Sequence, residues 1–106
     1  MSDEMWGLVL DRSKDVWEES RGLRKVRVKK PILDESANPL DAERVVIQVL
    51  YTGVCGSDKG IWFRNAFKDM IYESLDEERK DIRITGHELL GRVVEAGSLA
   101  DRHYGF

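Results

Sequence analysis

Residues 44–58 read Arg-Val-Val-Ile-Gln-Val-Leu-Tyr-Thr-Gly-Val-Cys-Gly-Ser-Asp. The stretch from Arg44 to Val54 is rich in β-branched and apolar side chains, which predicts a strand. Two glycines, Gly53 and Gly56, then allow the backbone to turn sharply. A thiol, a hydroxyl and a carboxylate follow the strand, from Cys55, Ser57 and Asp58. The stretch therefore predicts a strand that delivers three polar groups to one turn.

The rest of the chain indicates further strands and little helix. Short apolar or alternating runs predict strands at residues 6–10, 23–30 and 89–96. Residues 69–80 carry apolar side chains among acidic ones and fit either an amphipathic helix or a surface insertion. Two stretches predict no helix or strand. Residues 11–22 fit a hairpin loop or a poorly ordered excursion, and the tail 97–106 has no clear pattern. The predicted fold class is mainly β with minor helical content.

A second polar cluster lies 32 residues after Cys55, at Gly86-His87-Glu88. Cysteine thiolate and neutral imidazole are preferred ligands of Zn²⁺, and a carboxylate is acceptable. A catalytic zinc needs three protein ligands and one open position. Cys55 and His87 supply two of them, and Glu88 supplies a third or acts as an exchangeable ligand. The separation excludes a compact zinc finger and requires the fold to bring two distant turns together.

Each cluster also has a plain structural interpretation. A lone cysteine at a strand end is usually a small buried hydrophobe, and a His-Glu pair is common on any surface. Ser57 and Asp58 alone are typical turn residues. Trp62 and Phe63 fit a substrate pocket or, more simply, a core. Lys59, Arg64 and His103 are most simply solvated.

Composition excludes several classes of protein. The chain has 106 residues, of which 42% are hydrophobic and 35% charged, with a net charge of −3. That balance does not indicate a basic surface that would bind nucleic acid or an anionic membrane. No apolar run is long enough to span a bilayer. The start shows no secretory signal. One cysteine allows no internal disulfide, which favours a reducing cytoplasm.

Taken together, the two clusters resemble the zinc-containing medium-chain alcohol and sugar dehydrogenases. The resemblance rests on Gly-Val-Cys-Gly-Ser-Asp at 53–58, on Gly-His-Glu-x-x-Gly at 86–91, and on a further glycine at 97. The start at 5–10, Met-Trp-Gly-Leu-Val-Leu, also resembles the first strand of that family. The resemblance implies a GroES-like, partly open β-barrel, with residues 1–106 as the N-terminal part of a truncated catalytic domain. No Gly-x-Gly-x-x-Gly is present, so the dinucleotide-binding Rossmann domain is expected outside this chain.

Position by position, the resemblance assigns a role to each polar residue of the two clusters. It implies Cys55 and His87 as ligands of the catalytic zinc, and Glu88 as a carboxylate that ligates in some states. Asp58 matches the carboxylate that orients the histidine. Ser57 matches the hydroxyl that takes the substrate proton. The third strong ligand is expected from later sequence.

The implied function is oxidation of an alcohol, polyol or sugar hydroxyl by hydride transfer to NAD or NADP. The long gap between the clusters resembles the glucose dehydrogenase branch. Gly60 departs from the family, which often has histidine or glutamate there, and this leaves the relay beyond Ser57 open. Whole family members are usually homo-oligomers, and the chain alone is expected to be inactive. Two alternatives remain: a zinc-free quinone-reductase-like relative, and a GroES-like interaction module without catalysis.

Overall fold

The computed structural model describes residues 3–106, and the chain divides into two compact units. The first unit combines the described residues up to Lys29 with Gly53–Glu88. The second combines Lys30–Thr52 with Leu89–Phe106. All of the predicted site residues belong to the first unit.

The first unit contains a three-stranded antiparallel sheet. Its strands are β1 (Glu4–Asp11), β2 (Arg24–Lys29) and β4 (Ile82–Ile84), in the order β2-β1-β4. The prediction of strands near residues 6–10 and 23–30 is confirmed. The three-residue strand β4 was not predicted, because a run this short gives almost no periodic signal.

Strand β2 is half-buried, as its alternation predicts. Val26 and Val28 are partly buried, whereas the basic residues between them are exposed. On the exposed face, Arg27 pairs in register with Trp6 of β1. The guanidinium of Arg27 and the ammonium of Lys25 lie 4.9 and 4.7 Å from the centre of the Trp6 ring. These distances are in the range of cation–π contacts.

The core of the first unit forms where β1 meets helix α2 (Lys68–Glu78). It consists of four buried residues: Leu10, Trp17, Ile71 and Leu75. Trp17 lies in a short 3₁₀ turn between β1 and β2 and is only 6% exposed. The alternative that residues 11–22 form a poorly ordered excursion is therefore wrong. The ring of Trp17 packs this hairpin loop against the core. Helix α2 confirms the helical interpretation of residues 69–80.

A second helix in this unit, α1 (Gly56–Trp62), follows the Cys55 turn and was not predicted. Two glycines within seven residues hide the helical pattern, because glycine is a poor helix former. Trp62 and Phe63 end this helix and are 44% and 51% exposed, so the prediction that they are core residues is wrong. The Trp62 ring packs on Gly22, where an added Cβ would lie 3.5 Å from it.

Arg64 is not a solvated charge, as the sequence had suggested. Its guanidinium lies 5.5 Å from the centre of the Trp17 ring, and Nη1 donates a hydrogen bond of 2.8 Å to the carbonyl of Ile61. Burial lowers the pKa of this guanidinium below its usual value. Lys59 and His103 are exposed, as predicted.

The second unit is built on a two-stranded sheet. Strand β3 (Val45–Gly53) pairs with β5 (Glu88–Ala96). Only one end residue of each strand, Gly53 and Glu88, belongs to the first unit. Both strands were predicted within one or two residues. The tail is not patternless: it forms helix α3 (Ser98–Tyr104), which ends at Gly105 in the left-handed conformation with φ 64°. Glycine at this position is a common helix stop.

The fold class is mainly β, as predicted, and the described residues form three short helices where one was expected. The strands form one three-stranded and one two-stranded sheet, and they do not close into a barrel within the described residues. No helix in residues 3–106 is long and apolar enough to cross a membrane.

Candidate metal centre

Cys55 occupies the N-cap position of helix α1, in an extended conformation. Asp58, three residues later, accepts a hydrogen bond from the backbone N–H of Cys55, with 3.0 Å between N and Oδ2. This is the second half of a capping box, in which the third helical residue reaches back to the cap. The thiol therefore projects from a backbone that the first turn of α1 holds in place.

His87 reaches the same spot from the other side of the unit. Thr85 is anchored to β1, because its N–H and its hydroxyl both donate to the carbonyl of Leu8 at 3.0 Å. Gly86 follows with φ 98°, a conformation that residues with a side chain rarely adopt. The glycine in Gly86-His87-Glu88 is thus required by the turn that redirects the chain into β5.

The structure brings the thiol and the imidazole together. Cys55 Sγ lies 3.1 Å from His87 Nε2, and Ser57 Oγ lies 2.9 Å from Sγ and 3.4 Å from Nε2. Cys55 and Ser57 are partly buried, whereas His87 is exposed. The group is therefore open to solvent on the histidine side.

Asp58 also faces the other nitrogen of the histidine. Its Oδ1 lies 3.8 Å from Nδ1 of His87, which is too long for a hydrogen bond but close enough for electrostatic attraction. A carboxylate beside Nδ1 favours the tautomer with a proton there, which leaves the Nε2 lone pair directed toward Cys55. One carboxylate thus caps the helix and lies beside the imidazole.

Glu88 completes a group of three donors. One ligand atom each from Cys55, His87 and Glu88 lie within 4.8 Å of one another. Tetrahedral zinc with ligands at about 2.0–2.3 Å holds its donors roughly 3.3–3.8 Å apart. The exposed side chains of His87 and Glu88 can close this difference by rotation. Sulfur, nitrogen and oxygen donors in this arrangement fit a zinc ion, and within residues 3–106 no other group of three such side chains converges.

Gly60, the departure from the family pattern, has a structural explanation. It lies in α1, and a Cβ at this position would come within 3.1 Å of the Cβ of Ala66. A larger side chain would require the segment after α1 to move. Gly60 thus allows α1 to pack closely against Ala66, which precedes α2.

Sequence reasoning missed one residue of the site, Gly53. It ends β3, and a Cβ at this position would lie 2.8 Å from Oε2 of Glu88. The available signal was its place two residues before Cys55 in a strand that otherwise contains no glycine.

Comparison with known proteins gives a partial match. Over 77 residues, 73% of this chain, it is 32% identical to the probable D-xylulose reductase A of Aspergillus clavatus. The same identity and coverage are found for the probable D-xylulose reductase A and for the D-xylulose reductase A of Aspergillus niger. The matched region spans 19% of the length of these relatives. No family model matches the chain, and no solved structure matches it significantly. The chain is therefore similar, over most of its own length, to one part of proteins named as D-xylulose reductases.

Proposed function

We propose that this chain contributes the zinc-binding part of a dehydrogenase that acts on a polyol or sugar hydroxyl. In this proposal residues 1–106 are the N-terminal part of the GroES-like catalytic domain of a zinc-containing medium-chain dehydrogenase. The convergence of Cys55, His87 and Glu88 within 4.8 Å carries the proposal. The similarity to D-xylulose reductases supports a polyol substrate over a simple alcohol.

The ligand roles follow from donor chemistry and placement. Cys55 and His87 would hold the ion, and Glu88 would supply a carboxylate as a third or exchangeable ligand. A bound zinc supplies Lewis-acid polarisation of a substrate hydroxyl. Asp58 holds the imidazole in the tautomer that ligation needs.

Ser57 is the residue that moves a proton in this proposal. Its hydroxyl lies within 3.4 Å of both the sulfur and the imidazole, so a substrate oxygen bound beside them is within reach of Oγ. Gly60 provides no next carrier. We propose that the proton passes from Ser57 directly to water, because His87 is on the exposed side of the group.

The remaining parts of the proposal concern the whole protein. The hydride acceptor is NAD or NADP, bound by sequence outside these 106 residues, and the substrate is a small alcohol or sugar. The whole enzyme is a homo-oligomer in the cytoplasm. A zinc-free reductase or an interaction module without chemistry explains the fold equally well, but neither requires three convergent donors.

Metal analysis of the purified whole protein, which includes the sequence expected to supply the third strong ligand, tests the proposal. We expect one zinc per chain, retained through gel filtration and measured by elemental analysis. Cys55→Ser and His87→Gln should each lower zinc content to a small fraction of this value. His103→Gln is the matched control, because His103 is exposed in α3 and belongs to the second unit.

In the whole enzyme, the same two site variants should abolish NAD(P)-dependent oxidation of polyols. Unchanged zinc content and unchanged activity in Cys55→Ser would overturn the proposal.

A further inference from the structure

Gly53 and Glu88 lie against each other at the ends of the two strands β3 and β5. A Cβ built on Gly53 would lie 2.8 Å from Glu88 Oε2 and 3.3 Å from Glu88 Cβ. The first distance is shorter than carbon and oxygen tolerate without a shift. The carboxylate of Glu88 thus occupies the space that a side chain at position 53 would fill.

The backbone does not require glycine at this position. Among the described glycines, positive φ occurs at Gly22, Gly86 and Gly105 but not at Gly53. Glycine within a strand is unfavourable, since it loses more conformational freedom on folding and has no side chain to pack. The reason for glycine at position 53 is therefore space and not conformation.

We propose that Gly53 is a positioning residue that directs the Glu88 carboxylate toward Cys55 and His87. This inference rests on the proposed metal site and adds to it a determinant outside the ligands. With no side chain at position 53, Glu88 folds back over the end of β3, and its oxygen comes within 4.8 Å of the other two donors. With a methyl group there, the carboxylate has to rotate away.

The substitution Gly53→Ala should separate metal binding from stability. The atom closest to the new methyl group, Glu88 Oε2 at 2.8 Å, is the end of a flexible, exposed side chain, and Glu88 Cβ at 3.3 Å has to shift by only a few tenths of an ångström. The alanine itself favours the folded strand, because it reduces the conformational freedom of the unfolded chain. We therefore expect an unchanged or slightly raised unfolding midpoint, together with weaker metal binding.

Gly56→Ala is the matched control for this experiment. Gly56 is also a glycine within two residues of Cys55, its φ is not positive, and no atom lies within 4 Å of the Cβ that alanine would add. A loss of zinc affinity that results only from replacing a glycine near the thiol would appear in both variants. A loss of zinc affinity that results from displacing the Glu88 carboxylate would appear in Gly53→Ala alone.

The experiment measures zinc affinity by competition with a chelator, and the coordination of Co²⁺ as a spectroscopic probe. Gly53→Ala should bind zinc about 10–100-fold more weakly, the effect typical of losing a group that orients a ligand. Its Co²⁺ complex should keep the thiolate charge-transfer band of Cys55 and change in the ligand-field region. Glu88→Gln should reproduce both changes, and the double variant should bind no more weakly than either single variant.

Each outcome decides the inference. Unchanged affinity and spectrum in Gly53→Ala, equal losses in Gly56→Ala, or additive losses in the double variant would each overturn it while leaving the metal site intact. Failure of the unaltered protein to bind one equivalent of Co²⁺ or zinc would overturn the metal site itself, and the inference with it.

Discussion

Cys55 Sγ and His87 Nε2 lie 3.1 Å apart, although 32 positions of sequence separate the two residues. The sulfur is fixed by the first turn of α1, and the imidazole follows a glycine turn that is anchored to β1. Two independent pieces of backbone therefore define this distance. The pair is a property of the fold of the first unit and not of one flexible loop.

The two roles of Asp58 can be separated by two substitutions. Asp58→Asn keeps an oxygen for the N–H of Cys55 but removes the charge that faces His87, so zinc affinity should fall about 10-fold or more while the helix stays intact. Asp58→Ala should in addition lower the free energy of unfolding by about 1 kcal/mol through the lost cap. Chelator competition and urea unfolding measure the two effects. Equal zinc affinity in Asp58→Asn and the parent protein would contradict the orienting role.

Ser57→Ala tests proton transfer in the whole enzyme. Loss of a positioned proton acceptor typically slows the chemical step by about 10²–10⁴-fold. Zinc content should not change, because Ser57 is not among the three convergent donors. Steady-state kinetics with a polyol, combined with metal analysis of the same sample, checks both statements. Ser57→Thr retains a hydroxyl and should recover part of the rate.

The packing of Gly97 in the second unit predicts a large loss of stability. Its N–H donates to the carbonyl of Arg44 at 2.8 Å, and a Cβ on Gly97 would overlap the carbonyl oxygens of Asp41 and Ala42. Since backbone atoms cannot move aside as a side-chain end can, Gly97→Ala should cost about 1–3 kcal/mol of unfolding free energy. Chemical denaturation measures this cost. Gly56→Ala, which introduces no close contact, should be near neutral in the same assay.

Substitutions at buried and exposed positions of helix α2 should differ in their effect on the free energy of unfolding. Leu75 is fully buried, whereas Met70 on the same helix is 62% exposed. Leu75→Ala should lower the free energy of unfolding by about 2–5 kcal/mol, and Met70→Ala should change it by roughly 0.5 kcal/mol or less. Similar effects of the two substitutions on urea unfolding would place the core elsewhere.

Asp41 predicts acid sensitivity of the second unit. Its pKa is lowered from 3.8, first by the backbone N–H of Asp34 and then by the guanidinium of Arg44, which lie 2.8 Å from its two oxygens. A carboxyl whose pKa is lower in the folded state stabilises fully above its unfolded pKa, and this contribution is lost as pH falls through the lower, folded value. Unfolding free energy should therefore decrease below about pH 4.

The control for this pH dependence lies in the same 3₁₀ turn, Pro39–Glu43. Asp41→Asn should flatten the acid limb of the curve, because the substituted side chain no longer binds a proton. Glu43→Gln alters an exposed carboxyl of that turn and serves as the matched variant. An equally steep acid limb in Asp41→Asn and Glu43→Gln would show that other carboxyls dominate the transition.

The strands with strong apolar patterns were predictable, and the short elements were not. Strand β3 was expected at 44–54 and is found at Val45–Gly53, because seven β-branched or large apolar residues leave no competing pattern. Helix α1 escaped prediction because its stability depends on a cap from Asp58 and not on side-chain periodicity. Helix α3 left one usable signal, Gly105 just after its end.

The candidate site was predictable in its ligands but not in its supports. Donor chemistry alone selects Cys55, His87 and Glu88. The family resemblance placed Asp58 beside His87, but its hydrogen bond to the N–H of Cys55 was not expected, since that depends on where a helix begins. The space at Gly53 depends on which residue lies across from it, and such a cross-strand neighbour is known only once β3 and β5 are placed.

Because Asp58 fixes Cys55 through a main-chain hydrogen bond, the thiol is in place as soon as α1 has formed. An ion bound at the proposed site would then meet a thiol whose backbone folding has already placed. Binding at this site would raise resistance to heat in proportion to the logarithm of free zinc concentration.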